Sequence, residues 1–141
     1  MIQAIFFDLD QTLLDRTNSL KHFLNWQINF FQEHNFYALG LQEYFSTIVI
    51  SEAVGLRKPD PAIFDLACKQ LDVFTEQSVF IGDNESVDIL GAQSFGMKTV
   101  FFHPNPQVNS DIADINLHDY RNLGEMLNQL AIKTTPENAR Q

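Results

Sequence analysis

The sequence predicts an α/β fold: one domain built on a parallel sheet, with helices on both faces, in three layers. Three observations predict it. Apolar runs of strand length recur at Ile2–Phe7, Ile48–Ile50, Ser78–Ile81 and Lys98–Phe102. Segments with helical spacing or helix-end signals fall between them. Strands that alternate with helices are joined by crossovers, so they pair in parallel and both sheet faces are covered.

Each element has its own warrant. Ile2–Phe7 is apolar and stops at an acid, as a buried strand does. Leu20, Phe23, Leu24, Gln27, Ile28 and Phe31 fall at helical spacing and predict a helix over Leu20–Phe31. Ile48–Ile50 predicts the centre of a strand over Thr47–Ser51. Asp60 can cap a helix that takes Pro61 at its first position and runs to about Gln70. Ser78–Ile81 reads as a strand, and Glu85–Phe95 as a helix stopped by Gly96. Lys98–Phe102 is a strand. A loop with Pro104 and Pro106 follows, then a short strand near Ile115–Leu117 and a final helix over Tyr120–Leu130. Thr134–Gln141 reads as a frayed tail.

Bulk properties exclude several classes. Among 141 residues, 45% are apolar, enough for a core. The net charge of −9 argues against a general nucleic-acid or membrane-surface binder. No apolar stretch approaches bilayer length, and the start of the chain lacks the basic and small-residue features of a signal peptide. The single cysteine, Cys68, precludes an internal disulfide and reads as helix core filler. The expectation is a cytoplasmic protein.

Chemistry concentrates in three places. Asp8 and Asp10 follow the first apolar run, two residues apart, so on a strand they share a face. Like charges that close need a cation or a positive partner. Arg57-Lys58-Pro59-Asp60-Pro61 supplies a lysine. The run Val79-Phe80-Ile81-Gly82 ends in Asp83, with Asp88 five residues on. Sites in parallel sheets lie beyond the carboxyl ends of strands, where these acids fall. Taken singly, each residue has a plainer reading: Asp8 or Asp10 as a loop acid or cap, Lys58 as a surface lysine, Asp88 as an exposed helix acid. Their joint occurrence in this order shifts the weight. His22, His34, His103 and His118 are scattered, which speaks against a His-based metal site.

Together these pieces resemble the haloacid dehalogenase-like hydrolase superfamily, in its phosphatase branch. Asp8, Asp10 and Thr12 match the first motif, Lys58 the third, and Gly82, Asp83 and Asp88 the fourth. The resemblance covers nearly the whole chain and implies a Rossmann-like core. It implies a magnesium-dependent phosphomonoester hydrolase acting through an aspartyl-phosphate. Asp8 would be the nucleophile, and Asp10 the general acid and then the general base. Thr12 would hold the turn after the nucleophile. Asp8, Asp83 and the backbone carbonyl of Asp10 would bind Mg2+, an oxygen-only set suited to a hard cation. Asp88 would orient a metal water or the lysine from behind. Lys58 would neutralise phosphate charge. The substrate would be a small phosphorylated metabolite.

The chain departs from the pattern in one respect. Family members of this type carry a helical cap after the first motif, then a second strand ending in a Ser or Thr that binds phosphate. Here residues 15–40 alone separate the first motif from the run-up to the third core strand. The expectation is a core domain over residues 1–133, shortened near residues 30–35, with the cap absent or vestigial. In this reading Thr47–Ser51 moves in beside the first strand, and Ser51 stands in for the lost phosphate-binding hydroxyl. Trp26 and Phe30 lie off the main stripe of the first helix and suggest an apolar surface for homo-oligomer formation. The competing functional reading is a truncated, weakly active or inactive family member that serves as a binding module.

Overall fold

The apolar run Val79-Phe80-Ile81 becomes the most buried strand. The computed structural model describes residues 2–8, 12 and 45–132. Among these, β1 (Ala4–Phe7), β2 (Ser78–Gly82), β3 (Lys98–Phe102) and β4 (Ile115–Leu117) form one sheet in the order β1-β2-β3-β4, with every pair parallel. All five residues of β2 are buried. That is the pattern of a strand covered on both faces.

The alternation along the strands sorts side chains to two cores. Phe80 of β2 and Phe6 of β1 join Ile63, Phe64 and Cys68 of α2 (Pro61–Leu71) and Ala92 of α3 (Leu90–Phe95). Val79 and Ile81, with Ile5 and Phe7, face the other way and pack with Met126 and Leu130 of α4 (Leu123–Ile132). Helices therefore cover both faces, as expected. Asp60 caps α2 through a 2.9 Å bond from the Ala62 N–H, with Pro61 at the first turn. Cys68 is buried in the α2 core.

Two segments are wound differently from the expectation. Glu85–Ile89 forms a wide π turn before α3, and Tyr120–Asn122 forms a 3₁₀ turn before α4. The boundaries agree with the sequence reading; the winding does not.

One expected strand is corrected. Thr47–Ile50 joins no ladder, and Ser51 opens the four-residue helix α1 (Ser51–Val54) instead of ending a strand. The Ile50 carbonyl accepts the N–H groups of Ala53 and Val54, so it is committed to starting that helix. Gly55, at φ 67°, stops the helix in the left-handed region that suits glycine. The segment still packs near β1: Phe45 meets Phe7 edge-on at 6.1 Å, and Val49 joins the cluster that contains Phe6. Side chains make that approach without a β-ladder.

The helix expected over Leu20–Phe31, with Trp26 and Phe30, lies outside the described residues, as do Asp10, the shortening near residues 30–35 and the tail over 134–141. No helix among the described residues is long and apolar enough to cross a membrane.

Candidate active site

The register of β1 against β2 sets the site. Phe7 pairs with Ile81, and the Asp8 N–H extends the ladder with a 2.8 Å bond to the Ile81 carbonyl. Asp8 and Asp83 thus leave neighbouring strands at the same, carboxyl, edge of the sheet. The backbone fixes both before any side-chain contact is made.

Asp88 comes to this edge through the turn after β2. The Asn84 side chain caps that turn, accepting from the Ser86 and Val87 N–H groups at 3.1 Å each. The Asn84 N–H in turn donates to Asp88 Oδ2 at 3.1 Å. Asp88 is only 2% exposed. Gly82 makes this packing possible. A Cβ built there would lie 2.5 Å from the Asp88 side chain, closer than real atoms approach. Gly82→Ala is therefore expected to displace Asp88 and to lower stability by about 1–3 kcal/mol, the usual cost of overpacking. Urea denaturation of the two proteins measures it, and an unchanged midpoint would contradict the packing described.

Lys58 joins the acids. Its Nζ donates to Asp8 Oδ1 and, at 2.6 Å, to Asp88 Oδ1, and it lies 5.3 Å from the Phe80 ring centroid. Burial acts to lower the Lys58 pKa, but the charges of Asp88 and Asp8 and their hydrogen bonds outweigh it, and the net shift is upward. The ammonium is held charged. Burial pushes the Asp83 carboxyl up, and the negative charges of Asp8 and Asp88 add to the shift. Burial also raises Asp88, opposed by the Lys58 charge.

Among the described residues, Asp8, Asp83 and Asp88 each bring a carboxylate oxygen within 4.8 Å of the others. Their donors differ in availability. Asp88 has one oxygen on Lys58 and the other on the Asn84 N–H. Among the described side chains, Asp8 Oδ2 and Asp83 Oδ1 meet the Thr12 hydroxyl, at 3.4 and 3.5 Å, the long end of the hydrogen-bond range. Two carboxylate oxygens held only at long range, one of them on an acid whose pKa is raised by burial and then by the like charges beside it, fit a hard divalent cation.

The structure thus brings together Asp8, Thr12, Lys58, Asp83 and Asp88 of the residues singled out in the sequence. Ser51 opens α1 and shares no hydrogen bond with Asp8, Lys58, Asp83 or Asp88. Asp10 is outside the described residues. Two further residues belong to the arrangement. Asn84 orients Asp88, and an Asn just before a helix start is a legible cap signal. Tyr120 donates its O–H to the Thr12 carbonyl at 2.9 Å; no local pattern announces a contact of that sequence separation.

Comparison with known proteins bears on the family and the fold. The family model for haloacid dehalogenase-like hydrolases matches residues 27–102. The chain is 35% identical over 99 residues to a glyceraldehyde 3-phosphate phosphatase of Methanopyrus kandleri, a match that covers 66% of this chain and 42% of that protein. A HAD phosphatase structure from Thermococcus onnurineus matches with a TM-score of 0.65 at 30% identity, covering 70% of this chain and 46% of that one. The HAD-type protein YfnB of Bacillus subtilis, solved bound to magnesium, matches with a TM-score of 0.63 at 27% identity, covering 72% and 46%. The chain spans less than half the length of each of these relatives.

Proposed function

The chain belongs to the haloacid dehalogenase-like hydrolase family, and from that premise we propose that it is a magnesium-dependent phosphomonoester hydrolase working through an aspartyl-phosphate on Asp8. The observation that carries this reading is the Lys58 ammonium held between Asp8 and the buried Asp88, with Asp83 beside them at the ends of β1 and β2. The phosphatases among the relatives support the reaction class.

Asp8 and Asp83 would hold the cation together with the Asp10 carbonyl. Asp88 would stand behind them, because both of its oxygens are already engaged. When bound, magnesium supplies charge neutralisation for the phosphate and for the paired carboxylates. The chain's own residues do the rest. An oxygen of Asp8 attacks phosphorus, and the bond from phosphorus to the ester oxygen breaks. Asp10 gives its proton to the leaving oxygen. Asp10, now a carboxylate, takes a proton from water as that water attacks phosphorus. Phosphate leaves and Asp8 is regenerated. Lys58 offsets the phosphate's negative charge and sets which Asp8 oxygen is free, since Oδ1 is its own acceptor. Ser51 is the candidate hydroxyl for the phosphate, and a small phosphorylated metabolite the substrate class.

Hydrolysis of an aryl phosphate, with and without magnesium, tests the reading. Magnesium-dependent turnover is expected. Its absence at high protein concentration would favour a binding module that keeps the acid cluster without the reaction.

The titration behaviour gives a second check. Asp83 and Asp88 have folded-state pKa values above the ordinary 3.8. Their contribution to stability is full below that pH and is lost as pH rises through the raised values. Lys58 is also raised, so its contribution holds below 10.5 and is lost only above it. Both acids therefore stabilise the fold less once they ionise, and a cation held by Asp8 and Asp83 offsets the negative charge that raises Asp83. Magnesium at a hundredfold excess over its Kd is expected to add about 2.7 kcal/mol at pH 7. Much less is expected at pH 4, where protons compete for the same oxygens. Thermal melts at the two pH values measure this; an equal shift at both would count against binding on these carboxylates.

A further inference from the structure

We propose that Tyr120 is a positioning residue for Thr12: its phenol O–H, donating to the Thr12 carbonyl, holds the Thr12 hydroxyl between Asp8 and Asp83. The inference rests on the phosphatase reading of the same site.

Tyr120 lies in the connection between β4 and α4, on the far side of the sheet order from β1. Its ring is stacked on Phe102 at 4.4 Å and 19°, and tilted against Phe7 at 6.2 Å. Phe102 ends β3 and Phe7 ends β1. The ring is thus wedged between the ends of two strands that do not pair with each other. A ring with two torsions so held has little freedom left, and its oxygen points in one direction. That direction carries the 2.9 Å bond to the Thr12 carbonyl. The turn beneath Tyr120 is itself pinned, with Asp119 accepting from the Arg121 N–H at 2.9 Å and pairing with its guanidinium.

The Thr12 end is buried and makes contacts that matter. Thr12 is 3% exposed, and its hydroxyl faces Asp8 Oδ2 and Asp83 Oδ1. Those are the oxygens left free by Lys58. The phenol is also a durable donor. Burial raises its pKa, and the nearby charges of Asp8 and Asp83 raise it further. It stays protonated at neutral pH. Tyr120 touches no reacting atom. It acts by fixing the backbone that carries Thr12, and an error of about 1 Å in a reacting group can cost about 10²-fold in rate.

Tyr120→Phe removes the oxygen and keeps the ring stack. Steady-state kinetics with an aryl phosphate are expected to show kcat lowered about 10- to 100-fold, with KM within about twofold of wild type. Hydrogen exchange at the Thr12 amide is expected to quicken, with β2 and β3 unchanged. A variant whose kcat stays within about twofold of wild type, or whose loss falls in KM alone, overturns the proposal. If wild type itself turns over nothing, the phosphatase reading fails and exchange alone decides: unchanged exchange at Thr12 overturns the positioning role, and faster exchange supports it.

Discussion

Asp8→Asn is expected to lower kcat for aryl phosphate hydrolysis by about 10⁴-fold or more, with the fold intact. The carboxamide has nearly the same shape, and the Asp8 N–H bond to Ile81 belongs to the backbone. What changes is chemistry: an amide oxygen is a poor nucleophile for phosphorus, and the cation loses one anionic ligand. Lys58 keeps Asp88 as a partner at 2.6 Å, so its charge is not stranded. Far-ultraviolet circular dichroism should therefore match wild type while turnover disappears. A variant with a tenth of wild-type kcat would assign the nucleophile elsewhere.

Lys58→Ala is expected to damage both folding and activity. It removes the one cation among the described residues that contacts Asp8 and Asp88. Asp88 is nearly fully buried, and a buried carboxylate left without its partner costs about 3–5 kcal/mol when ionised. It can escape only by taking up a proton, and its pKa is already raised by burial. The stability loss should therefore be largest near neutral pH and shrink in acid. Activity should fall by about 10²- to 10³-fold as well, the scale seen when a group that stabilises developing charge is removed. Urea denaturation at pH 5 and pH 8 reads the first effect. A loss independent of pH would mean that Asp88 does not depend on Lys58.

Much of this site is legible in the sequence because it is local. The runs before Asp8 and Asp83 read as strands, and parallel strands place their ends side by side. Lys58 has no such signal by itself; order and resemblance bring it in, and two ion pairs place it. Asp88 is the sharpest contrast. Read alone it is an exposed helix acid, yet it is buried, because a wide turn over Glu85–Ile89 and a bare Gly82 let it fold back. The shift from α to π hydrogen bonding has no composition signature.

The strand expected over Thr47–Ser51 fails for a reason that was partly visible. Ile48-Val49-Ile50 is a strand-like run, but Gly55 after Ser51–Val54 is a helix stop, and the Ile50 carbonyl serves that helix. Tyr120 was out of reach altogether. It meets Thr12 across 108 residues, and only the assembled sheet brings them together.

The most direct measurement is a search for the phosphoryl group itself. Asp10→Asn should form the aspartyl-phosphate from an aryl phosphate, whose leaving group needs no proton, and then fail to activate water. Acid quench followed by peptide mass spectrometry should find one phosphoryl group on the peptide that contains Asp8, only when magnesium is present, and none in Asp8→Asn. Turnover in wild type without any phosphoryl group on Asp8 in the Asp10→Asn variant would contradict the covalent route through this residue.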